Sequence, residues 1–167
     1  MEDGDGMMPK NHHILVVMTQ DHPGVLNRVA SLFRRRNFNI ESLTVGHTDQ
    51  PGVSRMTIVV DGATTSVEQV SKQLYKLIEV IKVSEVTHDP VVAHELALIK
   101  VNTSMGRRPE VLQLAEVYKA TVIDVAPESV LVQATGAEET IDSLVQVLRG
   151  YGIKEMVRTG IVAMTKG

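Results

Sequence analysis

Apolar residues recur along the chain in two rhythms. Ile14–Met18 ("ILVVM") is an unbroken run of strand length, and Leu26, Val29, Ala30 and Phe33 follow at the spacing of one helix face. A strand leading directly into a helix is predicted. Ile40–Val45 and Met56–Val60 read as strands flanking "GHTDQPG", whose Asp, Pro and Gly are turn residues, so the pair predicts a hairpin. Val67, Val70, Leu74, Leu77 and Ile78 form a second helical stripe, with Thr65 and Glu68 spaced as a capping box. Val80–Val86 supplies a closing strand.

"THDPVVAHE" interrupts this order with Asp89 and Pro90, after which the order runs again. Leu96–Val101 is strand-like, Val111, Leu114, Ala115 and Tyr118 share a helix face, and Thr121–Val125 with Val130–Ala134 flank "APES" as a hairpin. Ile141, Leu144, Val145 and Leu148 mark the last helix, which Thr135 and Glu138 are spaced to box and Gly150 to end. Ile153–Met164 is expected as one closing strand. The predicted fold is α+β, two ferredoxin-like βαββαβ domains in tandem, because striped helices suit a sheet covered on one face. The expected divisions are a flexible tail over residues 1–11, a first domain over 12–89 and a second over 90–167.

Composition narrows the function classes. The 167 residues carry 17 Lys and Arg against 20 Asp and Glu, a formal charge of −3, with no long basic run. No nucleic-acid partner is therefore expected. The absence of cysteine excludes disulfides, thiolate nucleophiles and the usual structural zinc sites, and the polar start has no apolar signal core. A cytoplasmic protein with no membrane association is expected. With only 3% aromatic residues the core must be aliphatic.

The chemistry concentrates in "TQDHPGVLNRV", Thr19 to Val29. Pro23 suits a first helical turn, and Gly24 permits close approach of a ligand to the backbone. The N–H groups of Gly24, Val25 and Leu26 are expected free at a helix start that attracts a carboxylate through hydrogen bonds and dipole. Asp21 beside them repels a polyanion and favours an ammonium, so a free amino acid fits better than a nucleotide. Asn39 opens the second strand, which can lie beside the first in this fold, and its carbonyl and amide can address either end of such a zwitterion. On spacing alone, Asp21 and His22 serve equally well as helix caps.

"QDHPGVLNRVASLFRRRNFNIESLTVGHTDQPGVSRMTI" resembles the amino-terminal ACT domain of the regulatory small subunit of acetolactate synthase, and "ATVIDVAPESVLVQATG" with "GIKEMVRTGIVAM" resembles that subunit's carboxy-terminal half. The first domain is thus identified with the ACT family. The resemblance implies a homodimer through ACT domains that joins a large catalytic subunit and raises its activity. That partner makes 2-acetolactate and CO2 from two pyruvates, or 2-aceto-2-hydroxybutyrate from pyruvate and 2-oxobutyrate, and carries thiamine diphosphate, Mg and FAD. The resemblance implies no cofactor and no catalytic site on this chain. It also implies feedback inhibition by valine or another branched-chain amino acid, bound between two ACT domains by Asp21, His22, Pro23, Gly24, Val25 and Leu26 of the strand-to-helix loop and Asn39 and Ile40 at the start of the second strand. A free-standing amino-acid sensor acting on a different enzyme or a transcription factor is the alternative.

Other signals have plainer readings. Gly4-Asp5-Gly6 lacks a preceding strand and is taken as chance. His12 with His13, and His88 with Asp89 and His94, lack a defined metal-site spacing. Arg34, Arg35 and Arg36 suit the negative end of the first helix. Nothing assembles a Ser-His-Asp or paired-carboxylate constellation.

Overall fold

The structure, a computed structural model, describes residues 11–167. Residues 1–10 of the expected tail lie outside the described residues. Two compact units follow, divided between Asp89 and Pro90.

The first unit runs β1 (His12–Gln20), α1 (Val25–Arg35), β2 (Ile40–His47), β3 (Val53–Asp61), α2 (Val67–Leu74) and β4 (Val80–Glu85). Its strands pair antiparallel in the order β2-β3-β1-β4. Side chains alternate across a strand, so Leu15 and Val17 of β1 and Met56, Ile58 and Val60 of β3 share one face. They pack there against Val25, Val29, Leu32 and Phe33 of α1 and Val70 and Leu74 of α2. That aliphatic cluster, with Phe33 and Phe38 edge-to-face at 5.9 Å, holds the helices on a single side.

The second unit repeats the order with β5 (Val91–Asn102), α3 (Arg108–Val117), β6 (Thr121–Ala126), β7 (Ser129–Gly136), α4 (Glu138–Arg149), β8 (Ile153–Arg158) and β9 (Val162–Thr165). Its own cluster joins Ala97, Ile99 and Val101 of β5 to Val130 and Val132 of β7 and to Ile141, Leu144 and Leu148 of α4. On β5, buried Glu95 accepts from the Arg158 guanidinium, which also donates to Asp142 at 2.6 Å. The neighbouring carboxylates hold that guanidinium above the ordinary arginine range.

Several details depart from the sequence pattern. The cap of α2 is Ser66, whose hydroxyl accepts from Gln69 N–H at 3.5 Å, rather than Thr65. That helix ends at Leu74, and Ile78 is 89% exposed rather than part of the apolar stripe. Ala137 caps α4 with no side-chain hydrogen bond, so the Thr135–Glu138 box does not form, and Gly150 stays right-handed at φ −62. The expected closing strand is two strands. Gly160 at φ 81 breaks it, after which β9 pairs with the start of a β5 that reaches back to Val91.

Candidate functional site

The opening predicted from "DHPGVL" lies where β1 gives way to α1. Its backbone is tied at both neighbouring strands: Gln20 N–H donates to Glu79 O at 2.8 Å, and Asp21 N–H to Gly52 O at 2.9 Å. Gly24, at φ 86 and ψ −7, is the cap residue, so Pro23 stands just before the helix rather than in its first turn. No neighbouring atom lies within 4 Å of the position a Cβ would take there. A left-handed cap of this kind suits glycine because other L-residues pay for the conformation.

One of the three amides expected to be free is not. Val25 N–H donates back to His22 O at 3.3 Å, while the first i to i−4 bond of the helix is Arg28 N–H to Gly24 O at 3.0 Å. The amides of Leu26 and Asn27 therefore face out of the helix end with no intrahelical acceptor. The cap is Gly24 rather than Asp21 or His22, and among the described residues no side-chain hydrogen bond caps the helix. Asp21 instead lies 3.2 Å from His47 Nδ1, and His22 is exposed. Behind the opening, Arg28 pairs with the nearly buried Glu79, tying α1 to the start of β4.

Asn39 and Ile40 are not in the same place. β3 lies between β1 and β2, so the second strand is not beside the first. Ile40 pairs with Val60, which pairs with His13 near the start of β1, whereas His47 pairs with Ser54, which pairs with Thr19 near its end. β1 and β2 thus run the same way. The start of β2 lies at the opposite end of the sheet from the opening, about 24 Å away along seven steps of a strand. Within one chain the structure brings together Asp21, His22, Pro23, Gly24, Val25 and Leu26 but not Asn39 or Ile40. Asn39 Nδ2 donates to Glu41 Oε1 at 3.0 Å, and its backbone carbonyl accepts from Asp61 N–H at 3.2 Å. Ile40 is half-buried at the margin of the core.

Sequence reasoning missed His47, Gly52 and the Arg28–Glu79 tie. Sheet register and not spacing brings these to the opening, so no local pattern marks them. Among the described residues no group of three or more His, Cys, Asp or Glu could hold a metal ion. No helix among them is long and apolar enough to cross a membrane.

The two units match two family profiles. One described as an AHAS small subunit-like ACT domain matches residues 15–82, and one described as the small subunit of acetolactate synthase matches 94–167. A probable acetolactate synthase small subunit of Archaeoglobus fulgidus is 50% identical over 155 residues, covering 93% of this chain and 97% of that protein. The acetolactate synthase small subunit of Bacillus subtilis is 45% identical over 155 residues, covering 92% of this chain and 90% of that protein. The crystal structure of the acetolactate synthase small subunit from Thermotoga maritima superposes with a TM-score of 0.85 at 39% identity, covering 93% of this chain and 98% of that one.

Proposed function

The chain belongs to the acetolactate synthase small-subunit family, and from that premise we propose that it activates the large catalytic subunit and makes it sensitive to valine. The catalytic partner, in this reading, holds the thiamine diphosphate, Mg and FAD and carries out the condensation of two pyruvates, or of pyruvate with 2-oxobutyrate. This chain supplies the sensor.

The observation that carries the proposal is the separation of the two halves of the candidate site. β2 is an edge strand, with no partner on its outer side among the described residues. Such an edge is a template for pairing with another strand. If two copies pair antiparallel through β2 about a twofold axis, the start of one β2 falls beside the His47 end of the other. Asn39 and Ile40 of the second copy then reach the opening formed by Asp21 to Leu26. A single chain has half of each site, and a homodimer has two whole ones.

The chemistry divides accordingly. The open amides of Leu26 and Asn27, at the positive end of α1, receive the valine carboxylate. Asp21 and the Asn39 side-chain carbonyl of the second copy suit the ammonium, and Ile40 with the aliphatic start of α1 suits the isopropyl group. A ligand seated across the pairing favours whichever dimer geometry closes both halves onto it, which is how its binding would bias the attached catalytic chain.

Reconstitution tests this. The purified chain alone should make no acetolactate from pyruvate, its mixture with the cognate large subunit should exceed the large subunit's own rate, and valine should lower the rate of the mixture. A large subunit indifferent to the added chain would end the regulatory reading. Valine binding without any effect on the large subunit would mark a sensor for a different enzyme.

A further inference from the structure

The second unit has an opening of its own. Its backbone repeats the first: Asn102 N–H donates to Gly152 O at 2.8 Å and Thr103 N–H to Glu128 O at 2.9 Å, as Gln20 and Asp21 donate to Glu79 and Gly52. Three residues on, Gly106 is left-handed at φ 77 as Gly24 is at φ 86, and a helix follows in each case. Thr103 therefore occupies the place of Asp21. Sequence comparison of "NTSMGRRPE" with "QDHPGV" hides this equivalence, because only the glycine is shared at matching positions.

A hollow of about 360 Å³ lies at this opening, lined by Thr103, Ser104, Arg108 and Glu128 among others. Thr103 is 3% exposed, and among the described residues its hydroxyl has no hydrogen-bond partner; neither has the buried Nε of Arg108. That guanidinium is anchored through Nη2, which donates to Ala126 O at 2.5 Å and Pro127 O at 2.8 Å. Arg107 is occupied elsewhere, over the Tyr151 ring at 4.2 Å and donating to Gly150 O. Two buried polar groups lacking partners are costly to fold around, each by the desolvation it suffers. Thr103 and Arg108 both line the same hollow, at the positive end of α3.

From these observations we infer that the second unit binds a compact oxyanion, a carboxylate or a phosphate, at the Thr103–Arg108 opening. The exchange of a carboxylate for a hydroxyl sets its preference apart from that of the first unit. Asp21 favours a ligand with an ammonium group, whereas Thr103 and a fixed guanidinium favour an anion without one. Glu128 contributes its carbonyl to the Thr103 amide and leaves its side chain exposed. The inference does not rest on the valine reading, since it uses only residues of the second unit.

The test is titration of the isotopically labelled full-length chain with inorganic phosphate and, separately, with acetate, followed through backbone amide resonances. At least one anion should shift Thr103 and Ser104 saturably, and the stronger of the two identifies the ligand class. Thr103→Val should weaken that binding about tenfold, the loss of one hydrogen bond to an anion. Without anion it should melt no lower than the parent, because the hydroxyl it removes has no partner. Thr103→Ser, which retains the hydroxyl, should bind like the parent, and valine affinity should be unchanged in both variants. Absence of saturable shifts with either anion overturns the inference. So does equal binding by Thr103→Val, or a loss in Thr103→Ser as large as in the valine variant.

Discussion

Gly24 sets the geometry of the first opening through one torsion angle. Its φ of 86 turns the chain from β1 into α1 and leaves the amides of Leu26 and Asn27 facing outward. Because no atom lies within 4 Å of a built Cβ, a substitution there meets conformational strain rather than a clash. Gly24→Ala should therefore cost about 1 kcal/mol in urea denaturation, the usual penalty for a left-handed L-residue. Gly24→Asp should in addition bring a carboxylate to where the ligand's own would bind, so calorimetric titration should show valine affinity falling well below that of the alanine variant. Equal affinity in the two would remove the assignment of the carboxylate to this helix end. The glycine was legible in "DHPGVL", but its exact station was not. Pro23 before Gly24 suggests a proline in the first turn, whereas the backbone bond from Val25 to His22 places the turn before the helix and consumes an amide.

At the scale of elements, β2 is the strand on which the proposed dimer depends. It lies at one edge of its sheet, and Val45 on it is 44% exposed. A lysine on such an edge opposes pairing while leaving the strand's inner bonds to β3 intact. Val45→Lys should shift the chain toward monomer in sedimentation equilibrium and weaken valine binding with it, with little change in circular dichroism. Loss of valine binding from a variant that stays dimeric would separate the site from the edge. Strand and helix identities were readable because their apolar periods differ. Element order, however, does not give neighbours. The β2-β3-β1-β4 order puts β3 between two strands that the sequence allowed to lie side by side, and the register puts Asn39 and Ile40 at the far end of the sheet from the opening. Ends were also less legible than existence. Ser66 outcompetes Thr65 as a cap because only its hydroxyl meets the Gln69 amide, while Thr65 is buried with its hydroxyl unpartnered.

At the scale of the whole molecule, each unit has its own apolar cluster, and none of the described residues belongs to both. A cavity in one core should therefore act within that unit. Leu144→Ala, at a position 1% exposed, should cost the second unit about 2–5 kcal/mol. Hydrogen exchange resolved by segment should show faster opening of β5 and α4, while β1 and β3 keep their protection. Equal loosening of both would show that the units fold as one. The sequence by itself determined the α+β class, the doubled βαββαβ order, the aliphatic composition of both cores and the glycine-bearing turn, because periodicity and turn chemistry act over a few neighbouring residues. Only the tertiary structure decided which ends of which strands meet: His47 at Asp21, Glu79 behind Arg28, and Thr103 at the place of Asp21 in the second unit. Those juxtapositions follow from strand order and register, which join residues far apart in the chain and leave no mark on local spacing.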